Sequence, residues 1–120
     1  DMTRTIELDA NCRLDQVTID LVEQIDRLAP FGRGNEAPTF CARNVQLDRG
    51  SERVGQEGQH LRLWLRQGNC FRQAIGFGLG EIADRFAAGM YVDLAFVPKL
   101  STWQGRRRPE IHVVDAKVRE

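Results

Sequence analysis

The octapeptide HLRLWLRQ, residues 60–67, alternates without a fault: Leu61, Leu63 and Leu65 share one parity, and His60, Arg62, Trp64 and Arg66 the other. A period of two belongs to a strand with one face on a core and the other on solvent, and a helix would scatter these residues around its axis. Gly68-Asn69 follows as a tight-turn signal, in the reverse of the favoured Asn-Gly order. CFRQAIGF, residues 70–77, then reads as a strand returning along the first, with Phe71, Ile75 and Phe77 on one side.

The rest of the chain is organised around this pair. TFCARNVQL (39–47) reads as an earlier strand, separated from HLRLWLRQ by the polar, glycine-rich DRGSERVGQEGQ, which is expected to be a loop. GLGEIADRFAAG (78–89) holds a short helix, with Ile82 and Phe86 one turn apart and Gly89 closing it. MYVDLAFVPKL (90–100) is a fourth strand with Met90, Val92, Leu94 and Phe96 inward; STWQGRRR (101–108) reads as a loop and PEIHVVDAKV (109–118) as a fifth strand. Ahead of the strands lie RTIELD (4–9), a short strand, and an amphipathic helix over 14–30 that buries Leu21, Val22, Ile25 and Leu28. Thr18 or Asp15 is its expected N-cap, and Pro30 its stop.

Three strands, a helix and two strands is the order of an OB-fold, a five-stranded mainly β barrel with its helix between strands three and four. Its ligands bind on the face of strands two and three and in the loops joining strands one to two and four to five. Both tryptophans and most of the exposed arginine cluster fall there. Arg62, Trp64 and Arg66 lie on the strand-two face with Arg72 next door, Arg49 and Arg53 in the first loop, and Trp103, Arg106, Arg107 and Arg108 in the second. Flat rings for bases and cations for phosphates are what single-strand binding requires.

Charge sharpens this reading. The net charge is zero, but residues 1–26 carry −5 and residues 27–120 carry +5. Of the 17 basic residues, fifteen are Arg and two are Lys. Guanidinium groups stack on rings and grip phosphates bidentately, as ammonium groups do not. Other chemistries find no support. His60 and His112 have no Glu or Cys at metal-ligand spacing, so no metal site is expected, and no catalytic constellation presents itself. Cys12, Cys41 and Cys70 are odd in number and form no C-x-x-C, which suggests free thiols in a reducing, cytoplasmic compartment. No apolar run is long enough to span a membrane. The chain is expected to be one domain-sized piece of a longer protein: a connecting strand, helix and bend over 1–38, then the barrel over 39–120.

The bend LAPFGRGNEAPTF, residues 28–40, resembles the L-x-P-F-G-x-G-N-x-x-P-x-F signature of RecJ-type single-strand-specific exonucleases, with Glu36 where relatives commonly carry Pro. HLRLWLRQ, AIGFGLGE, VDLAFVPKL and WQGRRRPEIHVVD also resemble that family's C-terminal OB domain, so the likeness covers nearly the whole chain. Within the bend, Pro30 presets φ, Gly32 and Gly34 allow angles other residues avoid, and Asn35 can bond back to its own backbone. With Phe31 they are expected to form an elbow fixing the helix on the barrel. The resemblance implies a parent enzyme of the DHH phosphoesterase superfamily, cleaving single-stranded DNA 5′ to 3′ with Mn²⁺ or Mg²⁺ in recombination and repair. It implies a non-catalytic fragment without cofactor, whose partners are single-stranded DNA, the parent's catalytic core and a single-strand-binding protein. Two other readings share the same residues: a protein-interaction module docking that core or a single-strand-binding protein, and an OB domain serving RNA.

Overall fold

The computed structural model describes residues 11–28 and 37–120. RTIELD and the elbow residues Pro30, Phe31, Gly32, Gly34 and Asn35 lie outside the described residues. Five strands, β1 (Phe40–Val54), β2 (His60–Gln67), β3 (Cys70–Gly76), β4 (Tyr91–Trp103) and β5 (Arg106–Val118), close a barrel in the order β1-β2-β3-β5-β4. All neighbours are antiparallel except β3 and β5, which pair in parallel only at Ala74–Ile111 and Ile75–His112. This is the OB-fold topology expected from the element order.

HLRLWLRQ is a strand over its full expected span. Leu61, Leu63 and Leu65 are fully buried and meet Val45, Leu47, Val92, Leu94, Phe96 and Ile111 in the core. Met90, expected inward, is exposed and precedes β4, whose inward series begins at Val92. At the β2–β3 turn only Gly68 has positive φ (61°), as a type II′ turn with glycine first requires.

Three elements depart from expectation. The expected loop after residue 47 continues as strand to Val54, because Glu52, Arg53 and Val54 pair with Arg62, Leu61 and His60. The expected loop 101–108 is a β-ribbon whose strands pair to Trp103–Arg106. Its turn is Gln104-Gly105, both at positive φ (51° and 78°), the type I′ geometry that matches strand twist. The connection from β3 to β4 holds a 3-10 helix, Gly80–Arg85, rather than an α-helix closed by Gly89. The Ser51 hydroxyl donates to the carbonyls of Ala83 and Phe86, and Phe86 leaves helical geometry to bury its ring.

The N-terminal helix is likewise shorter than expected. A 3-10 turn, Leu14–Gln16, is followed by a break and then by α1, Ile19–Asp26. The β-branched run Val17-Thr18-Ile19 makes the break: Thr18 is extended, and its hydroxyl accepts the Leu21 N–H at 3.1 Å as the N-cap. Leu14 and Val17 are fully buried in the barrel's own core. Leu14 N–H donates to Gln67 Oε1 at 2.8 Å, so this segment plugs the barrel end beside the β2–β3 turn. The other end is covered by the 3-10 helix of the β3–β4 connection, where Gly80 N–H donates to the Gln59 carbonyl at 3.0 Å.

Candidate nucleic-acid interface

The register of the β2–β3 hairpin decides which side chains face out. Gln67 pairs with Cys70, so Leu65, Leu63 and Leu61 pair with Arg72, Ala74 and Gly76, while Arg66, Trp64 and Arg62 pair with Phe71, Gln73 and Ile75. Directly paired residues share a face. Phe71, Gln73 and Ile75 therefore stand outside with the β2 cations, and Phe77 continues the parity. Phe71 is 57% and Phe77 59% exposed.

Because β3 and β5 pair over only two residues, the outer surface sinks between them into a groove of about 600 Å³. Phe71, Ile75 and Phe77 line one side, and Arg108, Pro109 and Glu110 the other. Arg62 and Arg72 lie at the same groove, Arg72 from an inward-parity position beside the opening seam. Phe77 is held edge-on between two histidines, its ring centroid 5.2 Å from His60 and 5.2 Å from His112. His60 Nδ1 accepts the Gly78 N–H at 2.9 Å, and His112 Nε2 meets Glu110 Oε1 at 2.9 Å. The ring is thus oriented before any ligand arrives, with more than half its surface open.

The sequence-predicted residues fall into three groups. Arg62, Arg72 and Arg108 reach the groove. Arg62 has Glu52 at 3.8 Å; among the described residues, Arg72 and Arg108 have no carboxylate partner. Trp64 and Arg66 share the adjoining face, but Trp64 is half-buried, with the Arg49 guanidinium 4.4 Å from its ring. Arg66 lies 5.4 Å over Phe71. The remaining residues are elsewhere. Arg53 turns to Asp84 of the 3-10 helix at 3.7 Å. Trp103 and Arg106 face each other at the ribbon tip, where Trp103 is 69% exposed. Arg107, on the other side of the ribbon, is 2.8 Å from Glu23 of α1.

Phe71, Phe77, His60 and His112 were not singled out as site residues from the sequence. Counting register outward from a two-residue turn at Gly68-Asn69 assigns Phe71 and Phe77 to the outer face, so a signal for them was present. Nothing local in the sequence brings His112 beside Phe77.

The three free thiols differ in setting: Cys12 is buried, Cys41 and Cys70 partly so. Burial is the main cause that pushes the Cys12 thiol up from its ordinary value, with the Asp15 charge adding to it. No helix of the described residues is long and apolar enough to cross a membrane.

The profile of the RecJ OB domain family matches residues 8–115. The single-stranded-DNA-specific exonuclease RecJ of Bacillus subtilis (strain 168) is 24% identical over 114 residues, covering 95% of this chain and 14% of that protein. The crystal structure of RecJ from Thermus thermophilus in complex with Mn²⁺ superposes with a TM-score of 0.57 at 25% identity, over 84% of this chain and 14% of that one. An aspartyl-tRNA synthetase from Entamoeba histolytica shares the fold alone, with a TM-score of 0.53 at 18% identity over 78% of this chain and 20% of its own. The chain thus spans about a seventh of the exonucleases it resembles.

Proposed function

The chain belongs to the RecJ OB domain family, and we propose that it grips single-stranded DNA in the β3–β5 groove on behalf of a longer, metal-dependent exonuclease. The observation that carries this is that two exposed rings, Phe71 and Phe77, the second pre-oriented between His60 and His112, share one groove with Arg72 beside them and Arg108 on the opposite side. Bases stack on the rings while the guanidinium groups take the backbone phosphates. A duplex presents its bases only edge-on, so a platform of this kind favours the single strand.

Cleavage falls to the remainder of the protein. Among the described residues no three His, Cys, Asp or Glu side chains gather where a metal ion could be held. In this reading the ligands for Mn²⁺ or Mg²⁺ belong to the rest of the enzyme, as the RecJ structures with those ions suggest. The domain's contribution is to hold the strand and feed it to that core in the cytoplasm, during DNA recombination and repair. The exposed Trp103 at the ribbon tip, set apart from the groove, favours a second role there: contact with the catalytic core or with a single-strand-binding protein.

The test is fluorescence anisotropy of labelled single-stranded DNA, duplex DNA and RNA of one length, titrated with the chain at two salt concentrations. We expect preference for single-stranded DNA, with a salt slope near −0.7 per phosphate contacted. Phe71→Ala with Phe77→Ala should weaken it by at least about 30-fold, since each of the two stacked bases contributes roughly 1–3 kcal/mol. Equal affinity for the duplex, or indifference to the double substitution, would overturn the groove reading, and tighter binding of RNA would assign the groove to RNA. Trp103→Ala with unchanged DNA affinity would assign the tip to a protein partner.

A further inference from the structure

The outward face does not end at the groove. Cross-strand pairing aligns Phe71 on β3, Arg66 on β2, Gln46 on β1 and Tyr91 on β4 in one row. At about 4.8 Å per strand the row spans about 14 Å. Its near end is tied to the groove by the Arg66 guanidinium over the Phe71 ring. Its far end opens into a hollow of about 510 Å³ lined by Arg13, Arg43, Arg66 and Tyr91, with no carboxylate among the lining residues.

Two local devices assemble this hollow. Between buried Ala42 and Val45, β1 carries one residue more than its partner β4, a bulge with Asn44 at φ 57°. Simple alternation would turn residue 44 inward and Val45 outward. The bulge instead leaves Arg43 and Asn44 both outside, the re-aiming that bulges accomplish in a sheet. The second device is Gln67. Its Oε1 accepts the Leu14 N–H at 2.8 Å while its Nε2 donates to the Arg43 carbonyl at 3.0 Å, so one side chain ties together the segments carrying Arg13 and Arg43. Arg43 Nε donates to the neutral Asn11 Oδ1 at 3.2 Å. Arg13 has Asp15 at 3.2 Å, but both side chains are more than half exposed, where such pairs contribute little. Tyr91 is 45% exposed beside them.

We propose that this hollow is a second contact site for the same single strand. Phosphates bind Arg13 and Arg43, a base stacks on Tyr91, and Arg66 with Phe71 bridges to the groove. Its Arg13, Arg43 and Tyr91 lie outside the loops and strand face where an OB-fold binds its ligand, and the site rests on the single-strand reading of that groove.

Oligothymidylates of about 8 and about 16 nucleotides, within the usual range of site sizes, separate the two sites. They are titrated at several salt concentrations with the unmodified chain, with Arg13→Ala/Arg43→Ala, with Arg13→Lys/Arg43→Lys, and with Arg85→Ala at the opposite barrel end. We expect the double alanine variant to bind the short strand within about twofold of the unmodified chain. For the long strand it should lose about tenfold, with a salt slope shallower by about 1.4, the share of two phosphates. The lysine variant should keep that slope, and Arg85→Ala should change neither length. Equal losses on both lengths, or a matching loss from Arg85→Ala, would reduce the effect to bulk charge and overturn the proposal. So would an unchanged long-strand affinity while Phe71→Ala with Phe77→Ala still weakens both lengths; that result spares the groove. Failure of the unmodified chain to bind either length overturns the groove and this site together.

Discussion

Trp64 and Phe71 are outward-facing aromatics on neighbouring strands, yet their rings are available to different degrees. Arg49 covers the face of Trp64, which is half-buried, whereas Phe71 keeps 57% of its surface open. Sequence reasoning names the tryptophans as stacking residues and gives Phe71 and Phe77 no role in the site. The register brings Phe71 and Phe77, not Trp64, to the groove. Asp93 shows a different residue-scale effect. Burial raises its pKa, but the Asn44 N–H and the Arg119 guanidinium at 2.9 and 3.2 Å, with Arg43 nearby, outweigh burial and hold it below its ordinary 3.8. A carboxyl whose pKa is lower folded than unfolded stabilises the fold above the unfolded value, and this is lost as pH falls through the folded one. Thermal melts from neutral pH to below 3.8 should therefore show a steeper acid loss for the unmodified chain than for Asp93→Asn, the two converging at the acid end. Parallel curves would remove Asp93 from the support of the β1 bulge.

At the scale of elements, alternation was readable and pairing was not. HLRLWLRQ shows its strand outright, because its core face is an unbroken leucine row. The polar continuation of β1 past residue 47 has no such face; it is a strand because β2 offers it a hydrogen-bonding edge. The ribbon beyond Leu100 is formed in the same way, by pairing across Gln104-Gly105. The β3–β4 connection depends on one close approach. A Cβ on Gly80 would run into the carbonyl oxygen of Gly58 and the backbone of Gln59, so Gly80→Ala should destabilise by about 1–3 kcal/mol. Gly50→Ala, where nothing lies within 4 Å, should stay within about 0.5 kcal/mol in the same denaturant titration. Equal effects would show that the approach relaxes without cost.

On the scale of the whole molecule, the N-terminal segment belongs to the same core as the barrel. Leu14 and Val17 are fully buried at one end, and α1 reaches the ribbon through Glu23 and Arg107. Leu14→Ala should therefore cost the whole barrel about 2–5 kcal/mol, seen as a single lowered unfolding transition. A split transition, or no shift, would mean that the plug docks on a barrel that is stable without it. The sequence by itself determined the strand and helix order, the barrel class, the core leucines and the outward parity of Arg62 and Arg66, because these follow from periodicity and turn chemistry within short windows. The family signature over residues 28–40 was legible too, although the elbow it is expected to form lies outside the described residues. Only the tertiary structure decided which rings stay open, which arginines are spent on Glu23, Asp84 and Trp64, and that Arg13 and Arg43 share a hollow. Those outcomes depend on register, bulges and barrel closure, which bring together residues tens of positions apart and leave no mark on the local pattern.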